Sequence, residues 1–245
     1  MQKTLDLSTY QYSPFAEEEF PMTMQVAMVG MDGIVLASDT KWQSTLTRGN
    51  LRSRHTSGSS KIAISDELSV AIACAQNMET AYAIADAVIA ELSGSDWDFP
   101  INPMEQIGQR FLDASGERNS FQCLVVTARP SLRLFQLESA CVNGVPNKAM
   151  CHEIKNKAIN GDNANAAVFW AERYYKMKSV QALMRLAAQL IVDSAKLNSG
   201  FIGGLEIVIC DGGGIRRLPD DLTTALELEA EKRGKAIEEL FFGRP

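Results

Sequence analysis

The stretch "FPMTMQVAMVGMDGIVLASDT", residues 20–40, places Thr23 at the head of an apolar run. A threonine hydroxyl is a weak nucleophile inside a chain. It becomes an effective one when the chain begins with it, because the free α-amine titrates near pH 8 and can accept its proton. An amide nitrogen cannot. The chemistry open to Thr23 therefore turns on the bond to Met22. Other reactive residue types offer less. Cys74, Cys123, Cys141, Cys151 and Cys210 are odd in number, lack CxxC spacing, and mostly sit in or beside apolar runs. They read as buried free thiols of a reducing compartment, which points to a cytoplasmic protein. His55 and His152 form no metal-ligand pair on one helix face, so no His-based metal site is expected.

Bulk composition narrows the class. The 245 residues are 46% hydrophobic and 22% charged, as for a globular protein with a substantial core. No apolar run approaches the roughly 18 residues of a membrane span. The first 20 residues lack an apolar segment of the secretory type. A net charge of −6 without a basic run argues against nucleic acid as the main partner.

Residues 1–22 are polar, carry Glu17-Glu18-Glu19 and contain Pro14 and Pro21. They read as an N-terminal extension or propeptide, with one domain over 23–245. "MTMQVAMVG" and "GIVLASD" meet at Met31-Asp32-Gly33, where Asp-Gly supplies positive φ at low cost, so a hairpin is expected. Residues 40–60 are polar and rich in Ser, Thr and Gly, which reads as a long loop. "KIAIS" and "LSVAIAC" form a second strand pair. Met78, Ala81, Ala85, Val88 and Leu92 recur at helical spacing, and a further helix is expected from Pro103 to Ser115. Strands return at "FQCLVVTA", "LRLFQLE" and, more weakly, "KNKAIN". Two helices follow, "NANAAVFWAERYY" and "SVQALMRLAAQLIVDSAKL". Then come a strand, a glycine turn and a short strand in "GGLEIVICDGGGIRRLP", and a charged, solvated C-terminal helix. Helices come in blocks and not between successive strands. That excludes a doubly wound parallel sheet and favours an α+β fold, a four-layer αββα sandwich of two antiparallel sheets flanked by helices.

Four segments, in this order, resemble proteasome-type N-terminal nucleophile hydrolases of the 20S subunit kind, in the style of bacterial homologues. They are "MTMQVAMVGMDGIVLASD", "SKIAISDELSVAIAC", "AINGDNANAAVFWAERYY" and "SAKLNSGFIGGLEIVICDGGGIRRLP". The resemblance spans Thr23 to about Pro219. It implies that Thr23 is the nucleophile, that Lys61 is the cation beside its hydroxyl, and that Asp39 holds Lys61. It also implies that a backbone N–H at Cys74 or Ala75, where relatives have glycine, donates to the oxyanion, with the Cys74 side chain crowding the pocket.

The supporting residues depart from the family pattern. Asp162 stands where relatives carry a serine between glycines, Ser199 where they carry an aspartate, and Ile202 where they carry a second serine. Met22 replaces the glycine that precedes the threonine of self-cleaving relatives. Removal of Met22 after initiation at that residue is a second route to a free Thr23. The implied function is threonine endopeptidase activity on unfolded polypeptides, inside homo-oligomeric stacked rings, with an ATP-dependent unfoldase as a possible partner and no cofactor. The alternative is a catalytically silent, ring-forming subunit that retains residues 1–22. A hydrolase of the same fold acting on a small amide is a third option.

Overall fold

Strands β1 (Met24–Val29) and β2 (Gly33–Ser38) pair antiparallel as the expected hairpin, with Val29 opposite Ile34. The reason for Asp-Gly at the turn differs from the expectation. Gly33 does not lie in the positive-φ region; a Cβ there would fall 2.6 Å from the Cys210 carbonyl oxygen. Asp32 instead accepts the Val180 amide through Oδ1 at 2.7 Å, serving the first turn of the helix that begins there. The computed structural model describes residues 23–48, 51–75, 78–94, 101–115, 121–142, 145–162 and 164–243. The expected extension at 1–22 lies outside them.

The remaining elements are β3 (Lys41–Arg48), β4 (Leu51–Gly58), β5 (Ile62–Ser65), β6 (Val70–Ala75), α1 (Met78–Gly94), α2 (Ile101–Ser115), β7 (Gln122–Thr127), β8 (Arg133–Val142), β9 (Val145–Ile154), β10 (Lys157–Gly161), α3 (Val168–Tyr174), α4 (Val180–Leu197), β11 (Glu206–Asp211), β12 (Gly214–Arg217) and α5 (Asp220–Phe242). One five-stranded sheet runs β10-β1-β2-β11-β12 and a second runs β5-β6-β7-β8-β9. Every pairing is antiparallel.

Side-chain alternation along the strands sorts the core into three bands. Ala27, Ile34, Leu36, Val208 and Cys210 of the first sheet meet Ala71, Ala73, Leu124, Val126 and Leu134 of the second. The opposite face of the first sheet, with Met24, Val26, Met28, Val35 and Ala37, packs on α4 through Leu183, Ala187, Leu190 and Ile191. The opposite face of the second, with Ile72, Cys74, Cys123, Val125, Phe135 and Leu137, packs on α1 and α2 through Ile84, Val88, Met104 and Ile107. Each residue that swaps face does so by the period-2 geometry of a strand.

The expected fold, a four-layer αββα sandwich of two sheets of the N-terminal nucleophile type, is corrected to an α+β sandwich that has, among the described residues, two five-stranded sheets, five helices and a separate two-stranded ribbon. The expected loop at 40–60 is that ribbon: β3 and β4 pair from Lys41 with Gly58 to Arg48 with Leu51. Helix α5 packs chiefly on α4 and not on a sheet, so the helices on that side are stacked two deep. The second sheet also ends in a ten-residue strand, β9, that was not anticipated. Among the described residues, no helix is long and apolar enough to cross a membrane.

Candidate active site

Three elements deliver the polar groups that converge at the edge between the sheets. Thr23 precedes β1 and is anchored by its backbone: its carbonyl accepts the Asp162 amide at 2.8 Å. The chain passes so close here that a Cβ on Gly161, at φ +87°, would fall 1.8 Å from the Thr23 carbonyl oxygen. Glycine at 161 is thus a requirement of both contact and conformation. Asp39 follows β2. Its amide donates to the Met24 carbonyl at 3.0 Å, and its Oδ1 accepts the Met24 amide at 3.0 Å. Oδ2 accepts the Lys41 amide at 3.2 Å. Lys61 comes from the other sheet, just before β5.

Lys61 Nζ has three donors, and all three find oxygen. One goes to Thr23 Oγ1 at 3.0 Å; the others go to Asp39 Oδ1 at 3.0 Å and Oδ2 at 2.9 Å. The Trp42 ring lies 5.0 Å from the ammonium, close enough for a cation–π contribution. Thr23, Asp39 and Lys61 are 1%, 0% and 4% exposed, so this charge pair is desolvated. Burial pushes the Asp39 carboxyl above its ordinary range, opposed by Lys61 and by the two backbone amides. Burial likewise pushes the Lys61 ammonium below its usual value, opposed by Asp39. An ammonium with reduced proton affinity, 3.0 Å from a hydroxyl, stabilises an alkoxide and can exchange a proton with it.

The remaining expected residues fall differently. Asp162 reaches the site through its backbone; its Oδ2 accepts Asn198 Nδ2 at 2.6 Å and Asn165 Nδ2 at 3.1 Å, tying the chain after β10 to the end of α4. Ser199 is exposed and offers its carbonyl to Lys41 Nζ at 2.6 Å. Ile202 is buried in the core beneath the first sheet. The Cys74 side chain does not crowd the space between the sheets. It points to the helical side of β6, with Sγ 3.1 Å from Cys123 Sγ. Cys74, Cys123, Cys151 and Cys210 are buried free thiols, with burial pushing Cys151 and Cys210 up to about 12.

Sequence reasoning missed Glu206, a buried carboxylate that accepts the Lys61 amide at 3.0 Å. A signal existed: Glu206 opens the strand "EIVICD" directly before four apolar residues, where a buried charge demands a partner. It also missed Trp42, and the buried pair Gln25 and Asn160, directly opposed on β1 and β10.

No family model and no curated protein matches the chain. Solved structures do. Anbu, an ancestral beta-subunit, from Yersinia bercovieri superposes with a TM-score of 0.67 at 15% identity, covering 91% of this chain and 98% of that one. A Gly-1 mutant of Anbu from Hyphomicrobium sp. strain MC1 gives 0.63 at 15% identity, and a further structure of Anbu from that strain gives 0.62 at 14%, both with the same coverage. At such identity the likeness shows the fold. The kinship with 20S-type proteasome subunits expected from the motifs is thereby corrected, since these similar structures are of Anbu proteins.

Proposed function

We propose that this chain is a threonine endopeptidase subunit whose nucleophile is Thr23. The observation that supports this reading most is the ammonium of Lys61, buried, held by Asp39, and 3.0 Å from Thr23 Oγ1. A merely structural ion pair has no need to aim its third donor at a hydroxyl.

In this reading, loss of residues 1–22 frees the Thr23 amine. Thr23 Oγ1 attacks a peptide carbonyl and its proton passes to that amine, through water. Lys61 stabilises the developing alkoxide. A backbone N–H at Cys74 or Ala75 donates to the oxyanion. The leaving amine takes the proton as the C–N bond breaks, leaving an ester on Thr23. Water, deprotonated by the same amine, then hydrolyses the ester and restores the hydroxyl. The chemistry needs no cofactor.

Anbu from Yersinia bercovieri is named as an ancestral beta-subunit, which supports an oligomeric assembly, proposed here as homo-oligomeric stacked rings enclosing the sites. Unfolded polypeptide is the fitting substrate, and an ATP-dependent unfoldase the fitting supplier. A second reading has its own support. Asp162 spends its carboxylate on Asn165 and Asn198, and Ile202, standing where relatives carry a serine, is a core side chain with no hydrogen-bonding group, so the supporting positions depart from the family pattern. That favours a silent structural subunit.

The two readings part on hydrolysis of an unfolded polypeptide by purified full-length protein and by Thr23→Ala, with the N-terminal residue fixed by intact mass. Cleavage that vanishes in the variant, from a chain beginning at Thr23, supports the peptidase. Equal cleavage by both, or none whether the chain begins at Thr23 or still carries residues 1–22, leaves the structural subunit.

A further inference from the structure

Thr23 and Asp39 belong to one sheet and Lys61 to the other, so the site exists only while the two sheets hold one relative position. Apolar packing fixes their spacing. It specifies a lateral position less sharply, because aliphatic contacts are non-directional. A directional device is present at this seam. Glu206 opens β11 directly opposite Ser38 of β2. Its Oε2 accepts the Lys61 amide at 3.0 Å, its Oε1 accepts Ser60 Oγ at 2.7 Å, and it pairs with Arg217 of β12. Arg217 continues across the seam, donating to Ser60 Oγ at 3.0 Å and to the Ile62 carbonyl at 2.8 Å. Tyr82 of α1 donates to the Ser60 carbonyl at 2.8 Å. Every bond in this set ends on residues 60–62 or on the carboxylate that holds them.

We infer that Glu206 is a positioning residue for Lys61, acting with Arg217 as a clamp that fixes Lys61 of one sheet against Thr23 and Asp39 of the other. This rests on the reading of Lys61 as the cation of the nucleophile. The clamp also balances charge. The cluster holds the buried carboxylates Asp39 and Glu206, the buried cation Lys61 and, at its exposed rim, Arg217. Trp42 faces Lys61, while Tyr82 and Asp220 face Arg217. Neutralising Glu206 alone leaves Arg217 as excess positive charge behind Lys61, and an added positive charge lowers an ammonium's proton affinity. Neutralising both restores the balance.

The test uses the full-length chain with isotope-labelled lysine, the Lys61 side-chain signal being identified by its absence in Lys61→Met. Glu206→Gln keeps the shape and one acceptor; it lowers the Lys61 titration midpoint by about one pH unit. Glu206→Gln/Arg217→Met returns the midpoint toward that of the wild type. A merely structural role moves neither. Glu206→Ala, which removes the acceptor, speeds hydrogen exchange of the Lys61 amide by roughly tenfold or more. If Glu206→Gln is folded by circular dichroism and leaves the Lys61 midpoint unchanged, the inference is overturned. The peptidase reading is tested separately in the same samples. If Lys61 responds as described and no sample hydrolyses polypeptide, the clamp stands and the peptidase reading falls. If the wild type hydrolyses polypeptide, Glu206→Gln lowers kcat and leaves KM little changed.

Discussion

Lys61 and Asp39 are a buried ion pair, and such a pair stabilises poorly while it is costly to break. Lys61→Met leaves the Asp39 carboxylate uncompensated and is expected to cost about 3–5 kcal/mol. Asp39→Asn/Lys61→Met is expected to recover most of that loss, a non-additivity that urea unfolding midpoints would register. The pH dependence follows from the same burial. Asp39 is raised, so the folded state binds its proton more tightly; between pH 3.8 and the raised value, stability falls as pH rises. Lys61 is lowered, so the folded state loses its proton first; between the lowered value and pH 10.5, stability rises with pH. Activity should run the other way on the alkaline side. The rate at which a peptide epoxyketone labels Thr23 should decline as pH rises, with the decline starting below pH 10.5 as the ammonium is lost, and labelling of Lys61→Ala should be slower by about 100-fold. A labelling rate equal in Lys61→Ala and the wild type would remove Lys61 from the chemistry. At this scale it was the resemblance that singled out Thr23, Asp39 and Lys61; taken alone each reads as an ordinary strand-end residue, and the structure shows Lys61 Nζ within hydrogen-bond distance of the other two. It was silent on Glu206, whose partners lie in segments remote in the chain.

Strand ends aim these side chains, and the tightest of them is where β10 meets Thr23. Gly161→Ala places a methyl group against the Thr23 carbonyl and forces a positive φ on alanine. The expected cost is about 2 kcal/mol or more, with a displaced Thr23. Thermal unfolding together with Thr23 labelling would detect both; a variant normal in both would mean that the close approach at 161 positions nothing. Apolar periodicity made the β1–β2 hairpin and α4 legible, since each has one face on a core. The β3–β4 ribbon was not legible. Its sequence, "KWQSTLTR" and "LRSRHTSG", is polar at most positions and carries no alternating apolar signal; only the backbone pairing identifies it. The double helix layer was hidden for a related reason. The charged surface of α5 marks what faces solvent and says little about whether its narrow buried side, Thr223 and Ala230, meets a sheet or another helix.

On the scale of the molecule, the site depends on two sheets staying together, so core mutations far from Thr23 should reach it. Leu124 is fully buried between the sheets. Leu124→Ala is expected to cost about 2–5 kcal/mol and to lower Thr23 labelling as well. The equivalent cut at Leu92, buried between α1 and the outer face of the second sheet, should cost stability with less effect on labelling. Equal effects on labelling would mean that the seam between the sheets has no special role. The central claim, that Thr23 is a nucleophile with a free amine, is tested most directly by treating purified full-length protein with a peptide epoxyketone. Such a reagent bonds to both the hydroxyl and the amine of an N-terminal threonine, and mass spectrometry locates the adduct. The account expects a single adduct on a chain beginning at Thr23, absent from Thr23→Ala. A chain that still carries residues before Thr23 and takes no adduct would contradict it.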